Sequence, residues 1–287
     1  MQLPEAVLQA STRLLKGEKI EQVEVLSGGD INQARLLRTG QGNFFLKMND
    51  QPFAEKMFQA EARGLELLGE HIRTPRVVGI GSDGGWSFLM LEYIHQGKRT
   101  PQFWKRFGEA LATLHQSSRS QFGLDYDNYI GALPQENTAA EKWPDFYCTH
   151  RLEPQVALAV DKGLLWEKAH LDLEKLYKNL PDICPEEAPA LTHGDLWGGN
   201  FLTTTENGPA LIDPAVSFAH REMDLGMSRL FGGFSHVFYE AYEAHYPTAP
   251  GLEDRLGIYQ LYYLLAHVNL FGKSYTQAVQ NIVERYT

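Results

Sequence analysis

Apolar residues in the first hundred positions recur with two different periods. Leu3, Val7, Leu8, Leu14 and Leu15 fall on one face of a short helix. Residues 22–26, 34–38 and 43–48 read as strands, the last two joined across Thr39-Gly40-Gln41-Gly42 as a hairpin. From Phe53 to Leu68 the spacing turns helical again, with Phe53, Met57, Phe58, Ala62, Leu65 and Leu68 on one side. Residues 76–80 and 86–91 are two further strands flanking a glycine-rich turn. The second is almost wholly apolar, as a strand buried on both faces must be.

Beyond Glu92 the character changes. Residues 96–101 form a polar connection, and 103–115 a helix with Phe107, Leu111 and Leu114 on one face. Residues 121–143, rich in Gly, Asn and Asp, read as loop; 144–180 read as two helical segments broken at Gly163. Two short strands around Asp195 and Asp213 follow, then helices to the end. The pattern predicts an α+β chain with a small β-rich N-lobe (residues 1–94) and a larger, mainly helical C-lobe (residues 95–287).

Composition narrows the function classes. Of 287 residues, 43% are hydrophobic and 22% charged, which excludes a disordered chain. With 26 Lys and Arg against 36 Asp and Glu, the net charge is −10. Nucleic acid and anionic membranes are gripped by Lys and Arg, so neither is an expected partner. Two cysteines, Cys148 and Cys184, are too few for a disulfide scaffold or a structural zinc site. Glu5 interrupts what a signal peptide would need, and Gln260, His267 and Asn269 break the most apolar later stretch, 259–271. The expectation is a soluble protein of a reducing cytoplasm; oligomeric state has no signature.

The strongest chemical signal is Leu191-Thr192-His193-Gly194-Asp195-Leu196-Trp197-Gly198-Gly199-Asn200, followed by Leu211-Ile212-Asp213-Pro214. Phosphoryl transfer needs a carboxylate beside the acceptor hydroxyl and Mg²⁺ on the ATP phosphates. One loop with Asp195 at its start and Asn200 at its end supplies a base and a metal ligand. Asp213, at a strand end, supplies a second, and hard Mg²⁺ takes oxygen donors of this kind.

HGDxxxxN followed by an apolar-apolar-Asp strand resembles the catalytic and metal loops of the protein-kinase-like fold, in its small-molecule phosphotransferase branch. HGDLWGGN, the segment Phe122–Gly131, Ile212-Asp213-Pro214-Ala215, Phe231-Gly232-Gly233-Phe234 and Tyr259-Gln260-Leu261-Tyr262 together resemble the fructosamine kinase (ketosamine-3-kinase) family. These signatures run over residues 20–275. Gly198 departs from the family's usual Ser and removes a hydroxyl near the acceptor.

The resemblance implies a two-lobe kinase-like fold with ATP and Mg²⁺, and Asp195 as the base. Lys47, ending an apolar strand, would contact the α- and β-phosphates and pair with Glu61; Glu55 is the alternative partner. Gly28 and Gly29, in Ser27-Gly28-Gly29-Asp30, would bring backbone N–H groups to the phosphates. Glu92, Tyr93 and Ile94 would meet the adenine edge through the Glu92 carbonyl and the Ile94 N–H, with Leu91 behind. Trp197 would pack on the sugar of a small-molecule ketosamine or glycated lysine, or else be a core aromatic. Asp224 and His193 would brace the catalytic loop, and His220 with Glu222 fits no metal-ligand spacing. The implied activity is phosphorylation of the ketosamine 3-hydroxyl, a deglycation reaction. An aminoglycoside- or choline-type kinase and a nucleotide-binding pseudokinase are the rival readings.

Overall fold

A computed structural model describes residues 3–26 and 31–287. The chain divides into two compact units. One holds the residues up to Arg99 together with Leu202–Asp213; the other holds Thr100–Phe201 and Pro214–Thr287. The sequence pattern had suggested a single boundary at 94/95. The return of 202–213 to the first unit leaves no trace in apolar periodicity, because it rests on main-chain contacts.

The first unit opens with α1 (Glu5–Leu14), then β1 (Ile20–Leu26), β2 (Gln33–Thr39), β3 (Gly42–Asn49), α2 (Ala54–Gly69), β4 (Val77–Asp83) and β5 (Trp86–Glu92). The five strands form one antiparallel sheet ordered β1-β2-β3-β5-β4. β5 has neighbours on both sides, and Phe88, Leu89, Met90 and Leu91 are all buried, which accounts for its apolar run. α1 lays Val7 and Ala10 into a core with Leu37, Leu46, Met48, Phe88 and Met90. Burial of such side chains contributes roughly 1.5–3 kcal/mol each.

The second unit begins with α3 (Pro101–His115), capped by Thr100, whose hydroxyl accepts from Phe103 N at 3.2 Å. A small hairpin follows, β6 (Asn128–Ile130) and β7 (Leu133–Gln135), where the sequence pattern suggested only loop; three-residue strands are too short to show alternation. Next come α4 (Trp143–Tyr147), a π-helical turn at Cys148–Leu152, α5 (Glu153–Asp161) and α6 (Ala169–Ile183). β8 (Ala190–Thr192) leads into the catalytic-type loop. β9 (Phe201–Thr203) and β10 (Pro209–Leu211) carry the chain back to the first unit; β11 (Ser217–Ala219) then pairs with β8. The chain ends with α7 (Glu222–Leu230), α8 (His236–His245), α9 (Leu252–Phe271) and α10 (Thr276–Tyr286).

α9 is buried nearly all round and supplies Tyr259, Tyr262 and Tyr263 to the core of this unit, beside Trp143 and Phe146. A helix buried on every face shows little amphipathic period. Among the described residues no helix is long and apolar enough to cross a membrane.

Two main-chain links hold 202–213 in the first unit. Gly97 N donates to Thr203 O at 2.8 Å, and Leu211 N donates to Arg73 O at 2.8 Å. Gly97 must be glycine there, because a Cβ would stand 2.4 Å from Thr204 O.

Candidate active site

Each unit carries its own group of reactive side chains. In the first, Lys47 lies in the buried run Leu46–Asn49 of β3, a strand with neighbours on both sides, and α2 turns Glu61 inward between Ala60 and Ala62. Lys47 Nζ donates to Glu61 Oε1 at 2.7 Å and to Asp213 Oδ1 at 2.5 Å. Lys47 and Glu61 are only 6% and 9% exposed. The partner of Lys47 is therefore Glu61; Glu55 is exposed and accepts from Gln59 Nε2. Burial pulls the Lys47 ammonium down, but the charges of Asp213 and Glu61 outweigh it and hold Lys47 above its ordinary value. Burial drives Glu61 up; Lys47 opposes this and the Asp213 carboxylate adds to it. The result is a buried cation between two carboxylates, a strong local field of fixed geometry. Asp213 itself has φ +55°, left-handed backbone that Asp tolerates better than most residues.

The end of β5 is held by a side chain that sequence reasoning had assigned only a main-chain role. Glu92 Oε1 accepts from Arg73 Nη2 at 2.5 Å, and Oε2 accepts from Arg76 N at 3.1 Å. Burial raises this carboxyl, but the Arg76 amide and Arg73 outweigh it and keep it low. Because the side chain takes the Arg76 N–H, that donor does not close a ladder bond on the Glu92 carbonyl. Tyr93 N donates to Asn43 O at 3.4 Å, so it faces β3. Leu91 and Ile94 are buried. Gly28 and Gly29 lie outside the described residues.

In the second unit, Asp195 and Asn200 stand at the two ends of one compact loop. Asn200 Nδ2 donates to both the Asp195 carbonyl and Asp195 Oδ2, each at 2.9 Å. This turns the amide nitrogen toward the aspartate and the amide oxygen the other way. Trp197 N donates to Asp195 O and Asn200 N to Trp197 O, which tightens the loop. Trp197 is 40% exposed, with its ring folded over Gly199, so it is no core aromatic.

The loop is braced from beneath. Asp224, fully buried at the start of α7, accepts from His193 N at 2.7 Å and Gly194 N at 2.9 Å. His115 Nε2 lies 3.1 Å from Asp224 Oδ2, and His115 Nδ1 lies 2.8 Å from Tyr242 OH. Burial raises the Asp224 carboxyl, but His115 and the His193 amide prevail and hold it below the usual range. Gly194 has φ +82°, and a Cβ there would stand 2.0 Å from Ala215 O.

A second brace was invisible in the sequence. Asn128 Nδ2 donates to Val216 O at 2.8 Å, and Gln135 Nε2 to Asn128 Oδ1 at 2.7 Å and Ala215 O at 3.2 Å. Asn137 Nδ2 donates to Asn128 Oδ1 at 2.9 Å, and buried Arg151 donates to Asn137 Oδ1 at 2.7 Å. This network pins the main chain just beyond Asp213-Pro214 and gives the 122–131 segment a structural purpose.

Glu187, His220 and Glu222 bring potential ligand atoms within 4.8 Å of one another. Arg221 holds Glu187 with two bonds of 2.8 Å, and Arg255 holds Glu222 at 2.7 and 2.6 Å. His220 Nδ1 accepts from Glu222 N at 3.3 Å, and Nε2 faces Pro185 O at 3.1 Å. The cluster is a set of satisfied ion pairs, not a metal centre.

The sequence profile of the fructosamine kinase family matches residues 3–287. A protein named "Probable ketoamine kinase" from Lactiplantibacillus plantarum is 43% identical over 272 residues, covering 93% of this chain and 95% of that one. A crystal structure provisionally named a fructosamine-3-kinase, from Thermobifida fusca, superposes with a TM-score of 0.87 at 32% identity, covering 97% of this chain and 98% of its own. Aminoglycoside phosphotransferase APH(4)-Ia, in a ternary complex with AMP-PNP and hygromycin B, gives a TM-score of 0.67 at 18% identity, covering 96% and 97%. At that identity the likeness shows the fold alone, which is protein-kinase-like.

Proposed function

The chain belongs to the fructosamine kinase family and is an ATP-dependent phosphotransferase acting on the 3-hydroxyl of ketosamines, and we propose that Asp195, Lys47, Glu61, Asn200 and Asp213 carry the reaction. Asp195 takes the proton from the sugar O3 as O3 attacks the γ-phosphorus. The bond from that phosphorus to the bridging oxygen breaks, and ADP leaves. Lys47 offsets charge on the α- and β-phosphates, and Glu61 holds it in place. Asn200 and Asp213 offer the oxygen donors that suit Mg²⁺, which when bound neutralises phosphate charge. The Glu92 carbonyl and Ile94 N–H, with Tyr93 between them, meet the adenine. Gly28 and Gly29 cover the phosphates.

The observation that best supports this reading is the convergence of Glu61 and Asp213 on Lys47 Nζ, at 2.7 and 2.5 Å. Such chemistry relies on positioned charge more than on covalent steps. The product has a built-in fate. In the 1,2-enaminol form, a phosphate on carbon 3 is allylic and departs as inorganic phosphate. Water then hydrolyses the resulting imine and frees the amine. Acceptors are free ketosamines or glycated lysines. Both cysteines are free thiols, in keeping with a reducing compartment.

The test is ATP consumption over a panel of ketosamines, aminoglycosides and choline, with the product located by phosphorus NMR. The expected result is turnover on a ketosamine with phosphate on O3. Turnover confined to an aminoglycoside or choline would replace this reading with one of its rivals. Nucleotide binding without turnover on any acceptor would mark a pseudokinase.

A further inference from the structure

Two large aromatic side chains are exposed on loops of the second unit that touch each other. Trp197 is 40% exposed and Phe231 is 42% exposed. A Cβ built on Gly233 would lie 3.4 Å from Gly198 Cα, so Phe231-Gly232-Gly233-Phe234 abuts Trp197-Gly198-Gly199 directly. The two ends of the first of these segments behave differently. Phe234 is anchored: its ring lies 5.0 Å from Phe201, the residue after Asn200, and 5.0 Å from Phe238. Phe231, three residues earlier, turns outward.

Phe231 is exposed but not loose. Its ring centroid lies 4.7 Å from His267 and 6.5 Å from Tyr275, and His267 also lies 5.4 Å from Phe271. The rings of Phe231, Phe271 and Tyr275 carry no charge. His267 Nδ1 lies 2.7 Å from Tyr263 O and so donates to it, while burial holds the imidazole below its ordinary pKa. A fixed, uncharged aromatic face joined to the catalytic loop is not what surface Phe residues usually form. Apolar carbon covers such a face favourably, and a nearby ammonium is attracted to its ring faces.

A ketosamine has two halves, the sugar that is phosphorylated and the group carried by the amine nitrogen. With Trp197 assigned to the sugar, we propose that Phe231, backed by His267, is the subsite for the alkyl chain on the amine nitrogen, as in a glycated lysine. This rests on the ketosamine kinase reading. Phe231 thus sets the preference between lysine-type adducts and the bare amino sugar, and takes no part in proton or phosphoryl transfer.

The test compares two acceptors carrying the same ketose, one on the ε-nitrogen of Nα-acetyl-lysine and one as the 1-amino-1-deoxy sugar. Phe231→Ala should raise KM for the lysine adduct roughly tenfold, the worth of about two covered methylenes. KM for the amino sugar, KM for ATP and kcat should stay within twofold. Phe231→Tyr should restore the lysine-adduct KM. Equal losses on both acceptors, or none on either, would overturn the subsite while leaving the kinase reading standing. Absence of turnover by the unaltered enzyme on both acceptors would remove the kinase reading and the subsite with it. A dimer that Phe231→Ala dissolves, with unchanged acceptor kinetics, would identify the face as a contact between copies of this chain and also overturn the subsite.

Discussion

Lys47 and Asp213 are 166 residues apart in sequence, yet Lys47 Nζ donates to Asp213 Oδ1 at 2.5 Å. The contact depends on β9 and β10 returning to the first unit, where Arg73 O and Gly97 N hold them. The lysine proposed to meet the phosphates and an aspartate proposed to hold Mg²⁺ are thereby placed as one rigid group, with Glu61 on the other side.

Breaking that group separates its structural and chemical roles. Lys47→Met leaves Glu61 buried without its cation, and removing one partner of a buried pair costs about 3–5 kcal/mol. Denaturant unfolding should show that loss, and KM for ATP should rise at least tenfold. Lys47→Arg keeps the charge and should recover much of the stability but little of kcat. An unchanged KM for ATP in folded Lys47→Met would reduce the triad to a structural clamp.

The loop from Gly194 to Asn200 makes a contrasting prediction at two glycines. Gly194→Ala puts a Cβ 2.0 Å from Ala215 O in backbone at φ +82°, so Tm should fall by many degrees and activity with it. Gly198→Ser puts its Cβ 3.5 Å from Gly232 O, an ordinary contact, and the hydroxyl has that carbonyl within reach. Its Tm should stay within about two degrees, for a change below ~0.5 kcal/mol. Similar melting curves for the two variants would contradict this packing.

Much of the site was legible because its residues cluster in short segments. Asp195 and Asn200 share a loop, and Asp213 ends an apolar run. Lys47 ends an apolar strand run and Glu61 sits on a helix of clear period, so their pairing could be anticipated. What was hidden depends on main-chain partners. Asn128 and Gln135 meet carbonyls more than 75 residues away, at Val216 and Ala215. A carbonyl carries no side-chain signature, so nothing in the sequence marked these partners. The same holds for Glu92, whose side chain binds the Arg76 amide, and for the return of 202–213 to the first unit. The three-residue strands are too short to display a period at all.

The buried brace under the loop has a pH signature. Asp224 is held below the ordinary carboxylate range by His115 and the His193 amide, against its burial. The unfolded chain, with an ordinary value of about 3.9, therefore takes up the proton first as pH falls. The stability contributed by Asp224 is complete above about pH 4 and is lost as pH falls through the lower folded value. Asp224→Asn lacks this contribution. The gap in unfolding free energy between the two proteins should be largest at neutral pH and narrow below about pH 4. Parallel stability curves down to pH 2 would show that the aspartate is not the charged member of this cluster.

Asp195 gives the sharpest test of the chemistry. Asp195→Asn keeps the shape of the side chain, and the Asn200 Nδ2 bond to the Asp195 main-chain carbonyl, at 2.9 Å, does not depend on the carboxylate. The substitution removes the oxygen that would take the proton from the sugar O3. A general base is typically worth about 10²–10⁴-fold, so kcat should fall by that factor. KM for ATP should change little, because the base acts on the acceptor. The side-chain bond from Asn200 Nδ2 to Oδ2 would be lost only if the new amide turned its nitrogen toward Asn200. Rotating the amide restores an acceptor there, so Tm should hold within a few degrees. Loss of nucleotide binding with turnover per bound ATP preserved would move Asp195 from the base role to a metal-ligand role. Full turnover of a ketosamine by Asp195→Asn would show that some other group takes the proton and that this loop is not the catalytic one.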